Sequence, residues 1–448
     1  METRTASILE LKTRVCQAVD AHASELEQLA RQIFAQPELG FKEHHTASLV
    51  HDWFDRLGLR HRDGIGITGT RADLKGGSSG PTVAVLGELD SLLCWEHPDR
   101  DRRTGAVHAC GHNAQIAMML GAGLALKEVA PGLAGSIALM AVPAEEYVEL
   151  EERLKFREQG QLEFLGGKAE MVRLGAFDDV DIAMMVHATA RPEDADLAVG
   201  GTNNGMVAKF VRFLGRTSHA GGAPDQGINA LSAARVALAG IDAIRETFRD
   251  EDHIRVHPIV TRGGDVVNAI PADVRLEMFC RGATLEAIEL AHTKVDRALK
   301  AGALALGGEV EITTLPGYLP LYHDPNLVAM FRANAVELVG ADRVRDKGHG
   351  GGSTDMGDIS HILPTVHPYA GGASGAGHGA DYRIDDYSRA VTNPAKVLAM
   401  TVVDLLADDA RQARRVVAEF KPRMSRAEYL AYLRRLSTTT LFRSADIE

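Results

Sequence analysis

Only four cysteines occur in 448 residues, at positions 16, 94, 110 and 280, and no two form a CxxC pair. This usage argues against a disulfide framework, and a reducing compartment fits it better. Basic excess is also lacking. The formal net charge is −12, whereas general binders of nucleic acid or anionic membranes are usually basic. Neither partner is expected, although a local basic patch could still meet an acidic substrate. The N-terminus carries no apolar signal-like run, no 18-residue apolar span stands out, and no internal repeat is visible. These absences predict a soluble, cytoplasmic protein.

What is present is ordinary globular composition, 45% hydrophobic and 25% charged, in a chain long enough for two domains. Forty-five glycines imply many tight turns, as in an α/β enzyme with functional loops. Short apolar runs at 82–87, 136–142 and 181–186 read as strands of a parallel sheet covered on both faces. Each is followed closely by chemistry: Glu88 and Asp90 after the first, Glu145 and Glu146 after the second, His187 after the third. Ligands in open α/β sheets bind beyond the carboxyl ends of the strands. Three strands thus deliver acids or an imidazole to one sheet edge.

Around these strands, Ile8, Leu9, Val15, Val19, Leu26, Leu29 and Phe34 recur at near-helical spacing and predict a helix over 7–35. A second helix is expected over 46–57, stopped at Gly58. A third follows Cys110-Gly-His112, with Ile116, Met119, Leu120 and Leu124 on one face as core. The charged segment 149–170 allows a lid or a partner surface, but reads most simply as a solvated helix. From 204 to 315 the order strand 206–213, helix 229–247, strands 253–261 and 274–280, helix 285–301, strand 310–314 is the β-α-β-β-α-β order of a ferredoxin-like unit. It reads as a smaller domain inserted in a larger one. A last sheet strand is expected at 365–369, and the charged tail after Asp408 should be helical.

Several residues are candidates for metal chemistry. Zinc and related ions accept thiolate, imidazole and carboxylate ligands. Cys110 and His112, two apart across a glycine, suit a loop or strand end rather than a helix interior. Alone, that pair reads more simply as a buried cysteine beside a structural histidine. Glu145 and Glu146 follow a buried strand and Pro143, where one carboxylate could bind metal and the other move a proton. His187 is open between core and ligand. His378, among glycines, has little apolar sequence to bury it. A rival reading makes Cys110 a nucleophile with His112 as its base, but leaves the other acids and histidines without a role.

His108-Ala-Cys-Gly-His-Asn113, Val142-Pro-Ala-Glu-Glu146, Thr217-Ser-His-Ala-Gly-Gly-Ala-Pro224 with Gly227-Ile-Asn-Ala-Leu231, and Gly263-Gly-Asp-Val-Val-Asn-Ala-Ile-Pro271 occur in this order. The ordered set resembles the aminoacylase/carboxypeptidase-G-type metallopeptidase family, nearest the branch of N-acyl-amino-acid, indoleacetyl-amino-acid and aminobenzoyl-glutamate hydrolases. The similarity runs from Pro37-Glu-Leu-Gly40 to His378. It implies an α/β fold: a di-metal exopeptidase-like catalytic domain with a mixed, mostly parallel sheet, in two parts (1–203 and 316–448, the latter with the helical tail), and an inserted ferredoxin-like lid or dimerisation domain (204–315). Two divalent ions, Mn²⁺ or Zn²⁺ with Co²⁺ as a substitute, would be held by Cys110, His112, Glu146, His187 and His378. Glu145 would be the general base, and Asp90 would support the metal site. Glu88 occupies a position that is a ligand in some relatives. His219 and Asn268 match residues that steady substrate or oxyanion, His219 across a homodimer formed through the insert. The implied activity is hydrolysis of the amide of a small N-acyl or N-aroyl amino acid by metal-activated water. A metal-stabilised binding protein on the same fold and a Cys110 thiol hydrolase are the alternatives. Three features depart from the family pattern: Asn113 replaces a common Asp, the 149–170 insertion is long, and Ser353-Thr-Asp-Met356 replaces a more acidic segment.

Overall fold

Within the largest sheet, parallel pairing is confined to the apolar strands. The computed structural model describes residues 7–447, and the chain divides into two units. The first comprises residues to Gly201, Tyr322–Gly348 and Asp358–Ser425. Its main sheet runs His61–Ile65, Gly69–Lys75, Ala134–Val142, Ser78–Glu88, Ile182–Met184, Thr365–Val366. The first two pairings are antiparallel and the rest parallel. Val83, Val85, Ile137, Leu139, Ile182 and Met184 are fully buried, as a sheet covered on both faces requires. The two leading strands were not apparent in the sequence. His61–Ile65 is mostly exposed and polar, so it lacks an apolar run.

Helix His112–Val129 is buried at every residue but Lys127 and Glu128, so it is a core helix rather than an amphipathic one. The helix expected over 7–35 is two, Ile8–Ala21 and Ala23–Ala35, broken at His22 with φ −112° and ψ 11°. The apolar positions continue in phase across the break, which hides it from periodicity. The second helix runs His44–Arg56. One helical stretch, Ser388–Glu419, does contain a window long and apolar enough to cross a membrane, and 89% of that window is buried inside the protein. Its Val397, Val402, Val403, Leu405 and Leu406 belong to the core of this unit.

The solvated-helix reading of 149–170 holds for much of the surface of Leu150–Glu158 and fails for the buried part from 162 to 170. Helices Leu150–Glu158 and Gly167–Arg173 flank a segment in which Leu162, Phe164 and Leu165 are buried. Arg153, Lys168 and Glu170 are buried as well. These three find partners internally, whereas Glu151, Lys155 and Glu158 are exposed.

The second unit comprises Thr202–Leu321, His349–Gly357 and Arg426–Glu448. Its elements follow the order Gly205–Leu214, Ala230–Ile244, Arg255–Arg262, Asp273–Gly282, Leu285–Ala305, Glu309–Pro316. The sheet order is Arg255–Arg262, Asp273–Gly282, Gly205–Leu214, Glu309–Pro316, all antiparallel. Val274, Leu276, Met278 and Cys280 alternate inward and share one apolar cluster with both helices. A fifth strand, Thr438–Arg443, adds to the edge of Glu309–Pro316. The tail after Asp408 is therefore helical only in part, through Asn393–Glu419 (kinked at Ala407–Ala410) and Arg426–Leu436. Three consecutive threonines followed by Leu441 and Phe442 favour the extended chain.

Candidate metal centre

The register of the parallel strands assembles the site. Glu88 pairs with Val142 at the carboxyl end of the sheet, so Glu88 and Asp90 leave one strand beside Glu145 and Glu146, which follow the next. Ala144 turns the chain with φ 51°, and its N–H donates to the buried Glu43 carboxylate at 2.7 Å. Helix His112–Val129 begins after Gly111, whose φ is 87°. A Cβ there would also lie 2.5 Å from the Tyr382 hydroxyl. Glycine is thus required for Cys110 and His112 to flank this turn. His187 starts a short strand paired in parallel with Tyr369. The His378 N–H donates to the Ala109 carbonyl at 2.8 Å.

Seven of the nine candidate residues lie in the first unit, and ligand atoms from most of them converge. Cys110, His112 and His187 place donor atoms within 4.8 Å of one another, as do Cys110, Glu146 and His378. Cys110 is common to both sets. A third set, Glu88, His112 and Glu145, shares His112 with the first. Cys110 Sγ lies 3.3 Å from His187 Nε2, and His378 Nε2 lies 3.3 Å from Glu146 Oε1. Asp90 stands behind the ligand atoms. Its carbonyl is 2.9 Å and its Oδ1 3.2 Å from His112 Nδ1, and its Oδ2 accepts the Glu146 N–H at 2.8 Å.

His219 and Asn268 belong to the second unit and are exposed. Their two segments meet at an isolated antiparallel bridge between His219 and Ala269, where the Ala220 N–H donates to the Asn268 carbonyl at 2.9 Å. His219 Nδ1 accepts the N–H groups of Gly221 and Gly222 at 3.2 and 3.0 Å, so Nε2 carries the proton as a donor.

The electrostatics favour a cation. Four buried carboxylates, Glu88, Asp90, Glu145 and Glu146, surround this region. Glu88 Oε2, His112 Nε2 and Glu146 Oε1 are buried without a hydrogen-bond partner among the described residues. Polar atoms buried this way are costly unless something binds them. Burial, then His112, holds His187 down to about 4, so it presents a neutral imidazole suited to ligation. Burial, then Glu146, pushes the Cys110 thiol well above its ordinary value. That is opposite to what a thiolate nucleophile needs, and it disfavours the nucleophile reading. A thiol, three imidazoles and carboxylates form a donor set that suits zinc-like ions. The residues present fit divalent ions, and Cys110 belongs to two of the donor sets.

The sequence reading missed three supports. Glu43 accepts from Thr68 Oγ1 at 2.6 Å as well as from Ala144. Arg153 Nη2 donates to the Glu146 carbonyl, and Nη1 to the Leu165 carbonyl at 2.8 Å. Lys168 Nζ pairs with Glu88 Oε1 at 2.6 Å. Only a charge run without exposed-face periodicity hinted at the last two.

A family model for Peptidase family M20/M25/M40 matches residues 84–403. The chain is 28% identical over 430 residues to the Xaa-Arg dipeptidase of Mus musculus, covering 90% of this chain and 91% of that protein. It is 27% identical over 351 residues to a p-aminobenzoyl-glutamate hydrolase chain of Escherichia coli, covering 76% of each. Among solved structures, a dinuclear metal-binding peptidase of the M20 family from Bacillus subtilis superposes with a TM-score of 0.62 at 19% identity, over 86% of this chain and 99% of that one.

Proposed function

The chain is a hydrolase belonging to peptidase family M20/M25/M40, and on that premise we propose that it cleaves the amide bond of small N-acyl or N-aroyl amino acids, dipeptides included. The observation that carries this reading is the pair of donor sets sharing Cys110, with orphaned buried atoms on Glu88, His112 and Glu146. Cys110, His112, Glu146, His187 and His378 would hold two divalent ions. Bound there, such ions supply Lewis acidity to the scissile carbonyl and lower the pKa of the attacking water.

The chain's own residues do the rest. Glu145, whose carboxylate faces His112 Nε2 at 3.8 Å, takes the proton from the attacking water and delivers it to the leaving amine. Asp90 fixes the His112 ring and the Glu146 backbone. By the family resemblance, His219, acting across a homodimer, and Asn268 would steady the oxyanion. The exposed Ile259 and Val260 on the edge strand Arg255–Arg262 support a homodimer through the second unit.

The test is a chelated protein, reconstituted separately with Mn²⁺, Zn²⁺ and Co²⁺. It is assayed on N-acetyl and N-benzoyl amino acids, p-aminobenzoyl-glutamate and Xaa-Arg dipeptides. The last two groups reflect what the relatives are named for. Activity should vanish on chelation and return with at least one ion. Undiminished hydrolysis by protein shown to be metal-free would refute the reading.

A further inference from the structure

Arg153, in helix Leu150–Glu158, is a buried guanidinium with no carboxylate partner among the described residues. Charges buried this way are costly and are usually paired. Here backbone carbonyls and aromatic faces take the place of a counter-ion. Nη2 donates to the Glu146 carbonyl, and Nη1 to the Leu165 carbonyl at 2.8 Å. The guanidinium carbon lies 5.2 Å from the Phe41 ring centre and 5.8 Å from that of Tyr147, within the range of cation–π attraction. A planar, weakly hydrated fork of donors suits such a seat, and a compact ammonium does not.

The seat is built on strained backbone. Phe41, Ile67 and Ala144 hold φ of 64°, 75° and 51°. Such left-handed values are unfavourable for residues other than glycine and persist only where the surroundings impose them. Phe41, Ala144 and Leu162 form one small buried apolar cluster, with Ile67 and Phe156 packed against it. Leu162 and Phe156 come from the 149–170 segment. A Cβ on Gly40 would lie 2.8 Å from Ala144 Cβ and would collide with Arg153 Nη2. Lys42, beside Phe41, pairs with Glu149 and Glu152 at 2.9 and 2.7 Å, so the segment is tethered a second time. Ala144 leads directly into Glu145 and Glu146. The Glu146 N–H donates to Asp90 Oδ2, and its carbonyl accepts from Arg153 and from the Val148 N–H. The Glu146 residue is thus gripped at both backbone groups.

We propose that the segment 149–165 is a clamp that imposes the left-handed turn at Ala144, with Arg153 as its positioning residue. A catalytic task for that turn rests on the divalent-metal reading above; the clamp itself does not. Arg153 acts through the Glu146 carbonyl, and Leu162 through its packing on Ala144. Releasing either lets Ala144 relax toward ordinary backbone angles. That relaxation displaces the carboxylates of Glu145 and Glu146, which face His112 and His378.

The test uses the full-length, metal-free chain as wild type, Arg153→Lys, Arg153→Met and Leu162→Ala. Amide hydrogen exchange is followed peptide by peptide, and Zn²⁺ is then titrated by calorimetry. The Ala144 and Glu146 amides, which donate to Glu43 and Asp90, report opening of the turn. Loss of a hydrogen bond from a charged donor should speed their exchange about tenfold or more, with the strands of the main sheet unchanged. Zn²⁺ affinity should fall about 10–100-fold at one site. Arg153→Lys keeps the charge but not the fork, and should behave as Arg153→Met does. Leu162→Ala should speed the same amides with Arg153 still in place. A brace for the insertion alone gives another pattern: a lower melting temperature and faster exchange across 149–165, with 143–148 and Zn²⁺ affinity as in wild type. That pattern, or exchange raised evenly over the whole chain, overturns the proposal. If wild type binds no Zn²⁺, the metal reading fails, and exchange at 143–148 still decides the clamp.

Discussion

Asp90 and Glu146 are joined by a single buried hydrogen bond, the Glu146 N–H donating to Asp90 Oδ2 at 2.8 Å. The other oxygen of the same carboxylate lies 3.2 Å from His112 Nδ1. One side chain thus orients candidate ligands from two elements, the turn after Ala134–Val142 and the start of helix His112–Val129. Orientation by an outer carboxylate is a recurrent support for metal-bound histidine.

Asp90→Asn tests this. Asparagine has one acceptor oxygen, so it can serve Glu146 N–H or His112 Nδ1–H, but not both. The variant should bind metal about 10–100-fold more weakly, with a parallel fall in kcat/KM. Dialysis against a buffered metal series followed by metal analysis reads the first quantity. Unchanged affinity would remove Asp90 from the support role.

Glu145→Gln separates proton transfer from ligation. Glutamine keeps the shape of the side chain but cannot accept a proton at neutral pH. Turnover should fall by about 10²–10⁴, while two ions still bind. A variant that retains near-normal kcat with full metal content would show that another group moves the proton.

The legible part of the site lay where burial and chemistry alternate abruptly. Glu88, Asp90, Glu145, Glu146 and His187 each follow an apolar run, and the parallel register brings those strand ends together. Cys110 and His112 were legible as donors, but the left-handed turn at Gly111 that aims them was not. Lys168 and Arg153 were hidden because a charged run normally marks solvent, and only tertiary packing shows these two to be buried. The β-α-β-β-α-β order was readable from alternation in 206–213 and 274–280. The added strand Thr438–Arg443 was not, because its partner lies more than a hundred residues away in sequence.

Gly167→Ala should be disproportionately harmful for a one-carbon change. The new Cβ would meet the Pro143 carbonyl, and backbone cannot yield as a flexible side chain would. Overpacking of this kind costs about 1–3 kcal/mol, and the displaced turn carries Glu145 and Glu146. A lower melting temperature together with weaker metal binding is expected. If the melting temperature alone fell, the contact would be structural without bearing on the site.

The second unit offers a pH test independent of metal. Partial burial of Asp273 acts to raise its pKa, but Arg212 at 3.0 Å and Arg275 at 3.1 Å outweigh it and hold the carboxyl down to about 2. The unfolded chain should titrate near the ordinary value of about 3.9. The folded state therefore favours the ionised form. Its stabilising contribution is complete above about pH 5 and fades as pH falls through 4 toward 2. Asp273→Asn removes this contribution at every pH. In denaturant unfolding of the full chain, the gap between wild type and variant should be largest near pH 6 and close near pH 2. A gap independent of pH would mean that the arginines stabilise the side chain's shape rather than its charge.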